Sequence, residues 1–326
     1  MNTSKLGFIK FKPILKDKIW GGQKLINQLG KKSSSDQVGE SWEISEVPES
    51  VSVVAEGNFK NSSLSELIKR FPLGMLGQKS VDKFGYQFPI LFKFIDAAER
   101  LSVQLHPDDE IANKRHQSFG KTEMWYIIDA DEESFIIADF SEKLTPESYQ
   151  KYLNEGTLVD HLQHIKVKSG DVFYIKPGLV HAIGEGVLLA EIQQTSDITY
   201  RIYDWMRQDK NGNYRDLHTD LAIDAIDFNV DYSYRVDYRK EQKGVQELLY
   251  TDYFRTDYIH ISKNQNLQIE THQKFMVLMC VEGQVELKTD NESCILKKGE
   301  TIFVPAILDE VILTTLKDSR LLKVTI

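Results

Sequence analysis

Short stretches of apolar or alternating residues recur along the chain and are separated by turn sequences. The clearest stretches are residues 51–54, 89–95, 125–128, 135–138, 172–175 and 187–192. Turns rich in glycine and charged residues punctuate them, as at 168–171 and 184–186. Many short strands joined by such turns are typical of a β-sandwich or barrel rather than of alternating strands and helices. The pattern therefore predicts a mainly β protein.

Helical signals are fewer, and the strongest fall within residues 142–165. Thr-Pro at 145–146 is a typical helix start and Gly156 a typical stop, so they predict a first helix. Thr157 with Asp160 suggests the cap of a second helix, followed by apolar residues at helical spacing. We expect both helices to be an insertion that decorates the β core. Two further helix candidates are residues 63–70 and 219–228.

The C-terminal third repeats a pattern from the middle of the chain. Residues 168–181 and 298–309 each begin with a glycine-acid turn, continue into an apolar strand and reach a proline. The fourth residue after that proline is His181 in the first copy and Asp309 in the second. This similarity predicts an internal duplication. A polar segment near 232–243 separates the copies, and the predicted domains are residues 1–238 and residues 239–326.

Composition narrows the class of protein. Lys and Arg total 40 and Asp and Glu total 49, so the net charge is -9. An acidic surface has no general attraction for nucleic acid or anionic membrane. Lysines interrupt residues 1–22, which argues against a signal peptide, and no stretch is long and apolar enough to span a membrane. The two cysteines are isolated, so they do not indicate a disulfide framework. Together, these features favour a cytoplasmic protein without nucleic-acid or membrane partners.

Three separate segments could each supply one ligand of a metal site. They contain His106 in Gln104-Leu105-His106-Pro107, Glu123 in Lys121-Thr122-Glu123, and His181 in Pro177-Gly178-Leu179-Val180-His181. Two imidazoles and a carboxylate form a plausible ligand set for a divalent transition metal such as zinc. Gln104 would share a face with His106 if that stretch is a strand. Each residue alone would more often be structural, but their combination favours a catalytic metal site.

Arg201 lies in an aromatic setting, flanked by Tyr200, Tyr203 and Trp205. It could be a surface residue whose stem lies along apolar groups. It could also be a pocket cation, because its planar fork matches phosphate or an enediolate. Other candidate pocket cations are Lys93, Lys121 and Arg207. A lysine or arginine taken alone is more often a surface charge than a site residue.

Together these segments resemble the type I, cupin-fold mannose-6-phosphate isomerases, particularly their short bacterial form. The matching pieces are residues 19–22, 39–43, 104–107, 120–125, 177–183 and 196–205. One departure is Thr122, where the long form of the family has proline. The resemblance implies two cupin domains, which are jelly-roll β-sandwiches, with helical insertions in the first and a degenerate second domain.

The resemblance also implies a reaction and a site. One zinc ion per chain would be held by His106, Glu123 and His181, with the Gln104 position a ligand in long-form members. Arg201 would be catalytic. The substrate would be a sugar phosphate, with mannose 6-phosphate and fructose 6-phosphate interconverted through an enediol(ate). Separately from the resemblance, we expect a monomer or homodimer.

Isomerisation requires a general base to move the proton and cations to hold the phosphate. Lys121 and Glu191 are the nearest candidates for the base, and the sequence does not choose between them. We expect Lys93, Glu191 and Tyr203 to contact the substrate.

Two alternatives stay open. Two histidines and a carboxylate also form the facial triad of Fe(II) oxygenases, although Gln104 as an extra neutral ligand and Arg201 argue against that class. The other alternative is a non-catalytic sugar-phosphate-binding cupin. In the second copy, Met276 and Asp309 replace the carboxylate and the histidine. The complete ligand set in the first copy, beside its loss in the second, argues for retained chemistry.

Overall fold

The computed structural model describes residues 6–209, 211–229 and 233–326; the remaining residues, which include the start of the polar segment between the copies, lie outside this description. The strands of the N-terminal part are β1 Ile14–Gly22, β2 Val38–Ile44, β3 Ile90–Ala97, β4 Val103–Leu105, β5 Glu123–Ala130, β6 Phe135–Phe140, β7 Leu162–Lys166, β8 Val172–Ile175, β9 His181–Ile183, β10 Val187–Gln194 and β11 Tyr200–Tyr203. Those of the C-terminal part are β12 Gly244–Tyr250, β13 Arg255–Ile261, β14 Asn266–Glu270, β15 Met276–Glu282, β16 Gln284–Lys288, β17 Ser293–Lys297, β18 Thr301–Val304, β19 Glu310–Thr315 and β20 Ser319–Thr325. The helices are α1 Lys24–Asn27, α2 Leu64–Arg70, α3 Pro72–Leu76, α4 Gln78–Phe84, α5 Asp109–His116, α6 Pro146–Glu155 and α7 Thr219–Ala222.

Strands β1 to β11 form the first sandwich, which consists of two antiparallel sheets. Their strand orders are β1-β2-β3-β10-β5-β8 and β11-β4-β9-β6-β7. Ile95 and Trp125 from the first sheet pack with Ile136 and Ile183 from the second in one buried apolar cluster. The prediction of a mainly β fold is therefore confirmed.

Strands β12 to β20 form the second sandwich, which repeats the topology of the first. Its sheets have the orders β12-β13-β20-β15-β18 and β14-β19-β16-β17. Adding ten to each strand number converts β3-β10-β5-β8 into β13-β20-β15-β18, and β4-β9-β6-β7 into β14-β19-β16-β17. This correspondence supports the internal duplication inferred from the sequence. The predicted domain boundary after residue 238 lies in the connection between β11 and β12.

Helices α2 to α4 lie between β2 and β3 in the chain and pack against both sandwiches. Helix α2 lies within the predicted helix at residues 63–70, and Ser63 caps it through a capping box with Glu66. Met75 of α3 shares a buried cluster with Phe275 of the second sandwich. The carbonyl oxygen of Met75 also accepts a 3.1 Å hydrogen bond from the backbone of Ala306. These contacts join the two sandwiches.

The helical insertion differs from the prediction in its second half. Helix α6 is present, with Thr145 as its N-cap and Gly156 in the left-handed conformation at its end. The expected second helix is wrong, because Leu158–His161 is a single 3-10 turn and Leu162–Lys166 is strand β7. Strand β7 pairs with the edge of β6, and this tertiary pairing outweighs local helix propensity. The expected helix at 219–228 is limited to α7. No helix in the described ranges is both long and apolar enough to cross a bilayer.

Candidate metal centre and cavity

His106, Glu123 and His181 converge inside the first sandwich. Glu123 is the first residue of β5, His181 is the first of β9, and His106 directly follows β4. One candidate ligand atom from each side chain lies within 4.8 Å of the other two, and all three residues are buried. Within residues 6–209, 211–229 and 233–326, this is the one such group of His, Cys, Asp or Glu side chains.

Both histidines are oriented by a hydrogen bond between Nδ1 and a backbone carbonyl. Nδ1 of His106 lies 2.8 Å from the oxygen of Ile198, and Nδ1 of His181 lies 2.8 Å from that of Leu179. A carbonyl oxygen only accepts, so each Nδ1 must carry a proton. In a neutral ring, Nε2 then keeps its lone pair. The two Nε2 atoms lie 3.3 Å and 3.9 Å from the carboxylate oxygens of Glu123, and each carries the lone pair that a metal ligand needs.

The charge states of these side chains suit a metal cation. Burial, with a further effect from Lys121, lowers the pKa of His106 to about 4. Burial also lowers the pKa of His181. Burial alone would raise the pKa of Glu123, but the positive charge of Lys121 is the largest of the effects that hold this pKa well below its ordinary value. At neutral pH the group therefore consists of two neutral imidazoles and one carboxylate.

Lys121 contacts the same group. Its Nζ lies 2.6 Å from Oε1 of Glu123 and 3.0 Å from Nε2 of His106. The other carboxylate oxygen of Glu123 and Nε2 of His181 are buried, and neither has a hydrogen-bond partner among the described residues. Buried polar atoms without partners are costly, and a metal ion would satisfy both. The donor set therefore fits a divalent metal.

Gln104 lies beside this group, as expected from the sequence. It pairs with His181 on β9 and with Arg201 on β11, so the three side chains point to the same face of the sheet. Its Oε1 accepts a 3.2 Å hydrogen bond from Oγ of Ser102. Gln104 therefore reaches the cavity. That it is a fourth metal ligand stays a prediction.

A cavity of about 450 Å³ opens beside the candidate metal centre. Six cationic side chains and three carboxylates line it, although the whole protein is acidic. This local excess of positive charge suits an anionic ligand. The cations are Lys16, Lys18, Lys93, Lys121, Arg201 and Arg215, and the carboxylates are Glu40, Glu191 and Asp197.

Lys93 and Glu191 form a buried ion pair on the cavity wall. Nζ of Lys93 lies 2.8 Å from Oε1 of Glu191 and 2.6 Å from Oε1 of Gln193. Nε1 of Trp125 donates a 2.9 Å hydrogen bond to the other oxygen of Glu191. Burial would lower the pKa of Lys93, but the charges of Glu191 and Glu40 outweigh it and raise the pKa. Lys93 therefore stays an ammonium ion.

Arg201 is a cavity cation that forms no ion pair with a carboxylate in the described part of the chain. Its NH1 donates a 3.0 Å hydrogen bond to the carbonyl oxygen of Asp216, and its Nε donates one of 3.2 Å to Oγ of Ser102. Burial and the nearby Arg215 lower the pKa of Arg201. Arg215, by contrast, donates from Nε to Asp204 over 2.6 Å. Arg201 is therefore better able to engage an anionic ligand.

Two residues suggested by the sequence lie away from the cavity. A bulge in β11 breaks the alternation after Arg201, so Tyr203 pairs with Val103 and packs against the apolar cluster around it. Its position does not support the expected contact with substrate. Arg207 donates to Asp204 over 2.6 Å and to the carbonyl oxygen of Arg100 over 2.6 Å. It is therefore a structural cation here.

Several cavity residues carried no role in the sequence reading. Lys16 and Lys18 alternate on β1, and Glu40 and Trp42 alternate on β2, so each pair faces the cavity. The i, i+2 spacing indicates only that the two members of each pair share a face of their strand. Arg215 lies in the connection after β11, where no sequence pattern indicates a site.

The second sandwich lacks the corresponding ligand set. Met276 begins β15 and Asp309 immediately precedes β19, the strands that correspond to β5 and β9. His272, which follows β14, is exposed, and its Nδ1 lies 3.4 Å from a carboxylate oxygen of Glu270. These positions agree with the loss of ligands inferred from the sequence.

Comparisons with known proteins agree with this architecture. The family model described as phosphomannose isomerase type I, catalytic domain, matches residues 8–143, and the one described as mannose-6-phosphate isomerase, cupin domain, matches residues 245–318. The chain is 34% identical over 304 residues to the mannose-6-phosphate isomerase ManA of Bacillus subtilis, covering 92% of this chain and 93% of that protein. It is 34% identical over 288 residues to the mannose-6-phosphate isomerase of Streptococcus mutans, covering 88% and 89%.

A solved structure gives the same result for the fold. The crystal structure of the mannose 6-phosphate isomerase from Bacillus subtilis superposes with a TM-score of 0.89 at 32% identity, covering 98% of this chain and 100% of that one. The two sandwiches are thus cupin domains, as the resemblance implied. The chain belongs to the type I mannose-6-phosphate isomerases.

Proposed function

We propose that this protein is a zinc-dependent isomerase that interconverts mannose 6-phosphate and fructose 6-phosphate. The observation that carries the proposal is the buried group of two neutral histidines and a carboxylate beside a cation-rich cavity of about 450 Å³. The names of the relatives that cover most of the chain support the choice of substrate.

His106, Glu123 and His181 would hold the ion, with Gln104 near enough to be tested as a fourth, neutral ligand. Two imidazoles and a carboxylate suit zinc, and one such group predicts one ion per chain. A zinc ion bound there would act as a Lewis acid that polarises the sugar oxygens at C1 and C2.

The side chains of the cavity supply the remaining requirements of the reaction. Aldose-ketose isomerisation removes a proton from one of the carbons C1 and C2 and returns a proton to the other, through an enediol(ate). Both candidates for this proton transfer, Lys121 and Glu191, line the cavity. Glu191 is the better acceptor, because a carboxylate keeps free lone pairs while it accepts from Lys93 and Trp125. Lys121, already a donor to Glu123, suits the stabilisation of negative charge.

The phosphate of the substrate needs cations away from the reacting carbons. Lys16, Lys18 and Arg215 line the same cavity and are candidates for that contact. Arg201 has two possible roles, because its guanidinium could meet either the phosphate or the developing enediolate. We assign Arg201 to the enediolate, following the catalytic role that the family resemblance implies. Kinetics of the Arg201→Lys variant separate the two roles. Cytoplasmic location and a monomeric or homodimeric state are part of the same proposal.

An assay for fructose 6-phosphate formation, run beside an oxygen electrode, tests the proposal. We expect purified protein to convert mannose 6-phosphate at equal rates in air and under nitrogen, with no oxygen uptake. Oxygen uptake that depends on added sugar would favour the Fe(II) oxygenase class. Binding of mannose 6-phosphate without product would favour the non-catalytic cupin.

A further inference from the structure

We infer that Asp109 is a positioning residue that fixes the two segments bearing His106 and Glu123, and that Tyr253 of the second sandwich holds its carboxylate in place. This inference rests on the proposed metal-dependent function. It gives the second sandwich, which has lost its own ligands, a part in the site of the first.

Asp109 lies at the start of α5, three residues after His106. The helix begins firmly, because the carboxylate of Asp108 caps it by accepting a 2.9 Å hydrogen bond from the backbone N–H of Ile111. The cap fixes the start of α5, and therefore the orientation of Asp109 relative to the segment that bears His106. Its Oδ1 accepts a 2.7 Å hydrogen bond from the backbone N–H of Gly120. One carboxylate thus spans from the segment of the first ligand to the segment that leads to Glu123.

Oδ1 of Asp109 is also connected, through Gln194, to Thr122, the residue that precedes Glu123. Nε2 of Gln194 donates to Oδ1 of Asp109 over 3.1 Å. Oε1 of Gln194 accepts a 2.9 Å hydrogen bond from the backbone N–H of Thr122, and the backbone N–H of Gln194 donates to the carbonyl oxygen of Thr122 over 3.1 Å. Both backbone polar groups of Thr122 are therefore held by Gln194, which Asp109 orients.

Close packing of the two segments reinforces this arrangement. A Cβ atom on Gly120 would lie 2.7 Å from the backbone carbon of Asp108 and 2.7 Å from the backbone nitrogen of Asp109, so only glycine fits. The backbone N–H of Lys121 also donates to the carbonyl oxygen of Pro107 over 3.2 Å. The distance between the ligand-bearing segments is therefore set by contacts around Asp109.

Tyr253 brings the second sandwich to this network. It lies in the turn between β12 and β13, and its hydroxyl group donates to the second oxygen, Oδ2, of Asp109. The turn is itself ordered, because Oγ1 of Thr251 accepts 3.1 Å hydrogen bonds from the backbone N–H groups of Tyr253 and Phe254. Phe254 is buried in the cluster that joins both sandwiches. Burial and the neighbouring carboxylate raise the pKa of Tyr253, so its hydroxyl stays a donor.

The experiment compares Tyr253→Phe with a matched control, Tyr238→Phe. The hydroxyl of Tyr238 also donates a hydrogen bond, of 2.7 Å to the carbonyl oxygen of Gly170, but it does not contact Asp109. Zinc affinity is measured by competition with a chromophoric chelator, beside kcat, KM and the midpoint of thermal unfolding. Asp109→Ala and Asp109→Asn complete the set, because asparagine keeps an oxygen that can accept from Gly120.

We expect Tyr253→Phe to weaken zinc binding about threefold to tenfold and to lower kcat with KM little changed. Asp109→Ala should weaken zinc binding about tenfold to a hundredfold, the range for groups that orient metal ligands, and Asp109→Asn should recover part of it. Tyr238→Phe should lower the unfolding midpoint as much as Tyr253→Phe does but leave zinc affinity unchanged.

Equal zinc affinity and kcat in Tyr253→Phe and wild type would overturn the inference. Equal losses of zinc affinity in Tyr253→Phe and Tyr238→Phe would also overturn it. If Asp109→Ala does not fold, Tyr253→Phe still decides. An active wild-type protein that binds no zinc would instead overturn the proposed function, and the inference with it.

Discussion

Lys93 and Glu191 lie opposite each other on strands β3 and β10, and their side chains meet at 2.8 Å on the wall of the cavity. Both are almost fully buried, at 5% and 3% exposure. A buried ion pair seldom adds net stability over a well-packed apolar pair, because each charge must be removed from water. We therefore expect this pair to be present for function.

The first prediction separates stability from activity at this pair. Lys93→Met should reduce the free energy of unfolding by about 3–5 kcal/mol, because it leaves the Glu191 carboxylate buried without its cation. The double variant Lys93→Met/Glu191→Leu should recover most of that loss and still be inactive. Urea denaturation and isomerase assays of the double variant and of the single variants Lys93→Met and Glu191→Leu check this. A double variant as unstable as the sum of its single changes, or one that is active, would contradict it.

The second prediction concerns the metal ligands. His106→Ala and His181→Ala should each abolish stoichiometric zinc binding while the far-ultraviolet circular dichroism stays that of a β protein. A catalytic site need not support the fold, and the core lies in apolar clusters elsewhere. Residual zinc in either variant should also be negligible, because Met276 and Asp309 replace the ligands of the second sandwich. Elemental analysis that finds one zinc per chain in both variants would refute the assignment.

The third prediction distinguishes chemistry from docking at Arg201. If its guanidinium stabilises the enediolate, Arg201→Lys should lower kcat and kcat/KM together, by roughly tenfold to a thousandfold, the range of one missing oxyanion donor. Lysine keeps the charge but loses the planar fork. Arg207→Lys, outside the cavity, is the matched control and should behave as wild type. A raised KM with unchanged kcat would assign Arg201 to the phosphate instead.

Local sequence was sufficient to predict the candidate metal ligands but not the other residues that line the cavity. His106, Glu123 and His181 each lie at the end or start of a strand, next to turn residues that mark the position in the chain. Lys16 and Lys18 reach the cavity only because β1 joins the edge of the sheet beside β2, a pairing between distant segments that the sequence does not specify. Such long-range pairing is a property of the tertiary fold.

Two differences between the sequence-based expectations and the structure have the same origin. Tyr203 follows Arg201 at a spacing that normally keeps side chains on one face, but the bulge in β11 turns it toward the apolar cluster. Residues 162–166 have helical spacing of apolar side chains, yet they pair with the edge of β6. In both segments, contacts with a neighbouring strand decided the conformation. The strand alternation and turn signals that predicted the sandwiches do not encode those contacts.

Titration of metal-free protein with zinc tests the central claim most directly. Bound zinc and the rate of fructose 6-phosphate formation from mannose 6-phosphate are measured at each addition. We predict that the chelated protein is inactive, and that activity rises in proportion to bound zinc and saturates at one ion per chain. Full activity before any zinc is added, or a protein that binds one zinc ion and stays inactive, would contradict the account.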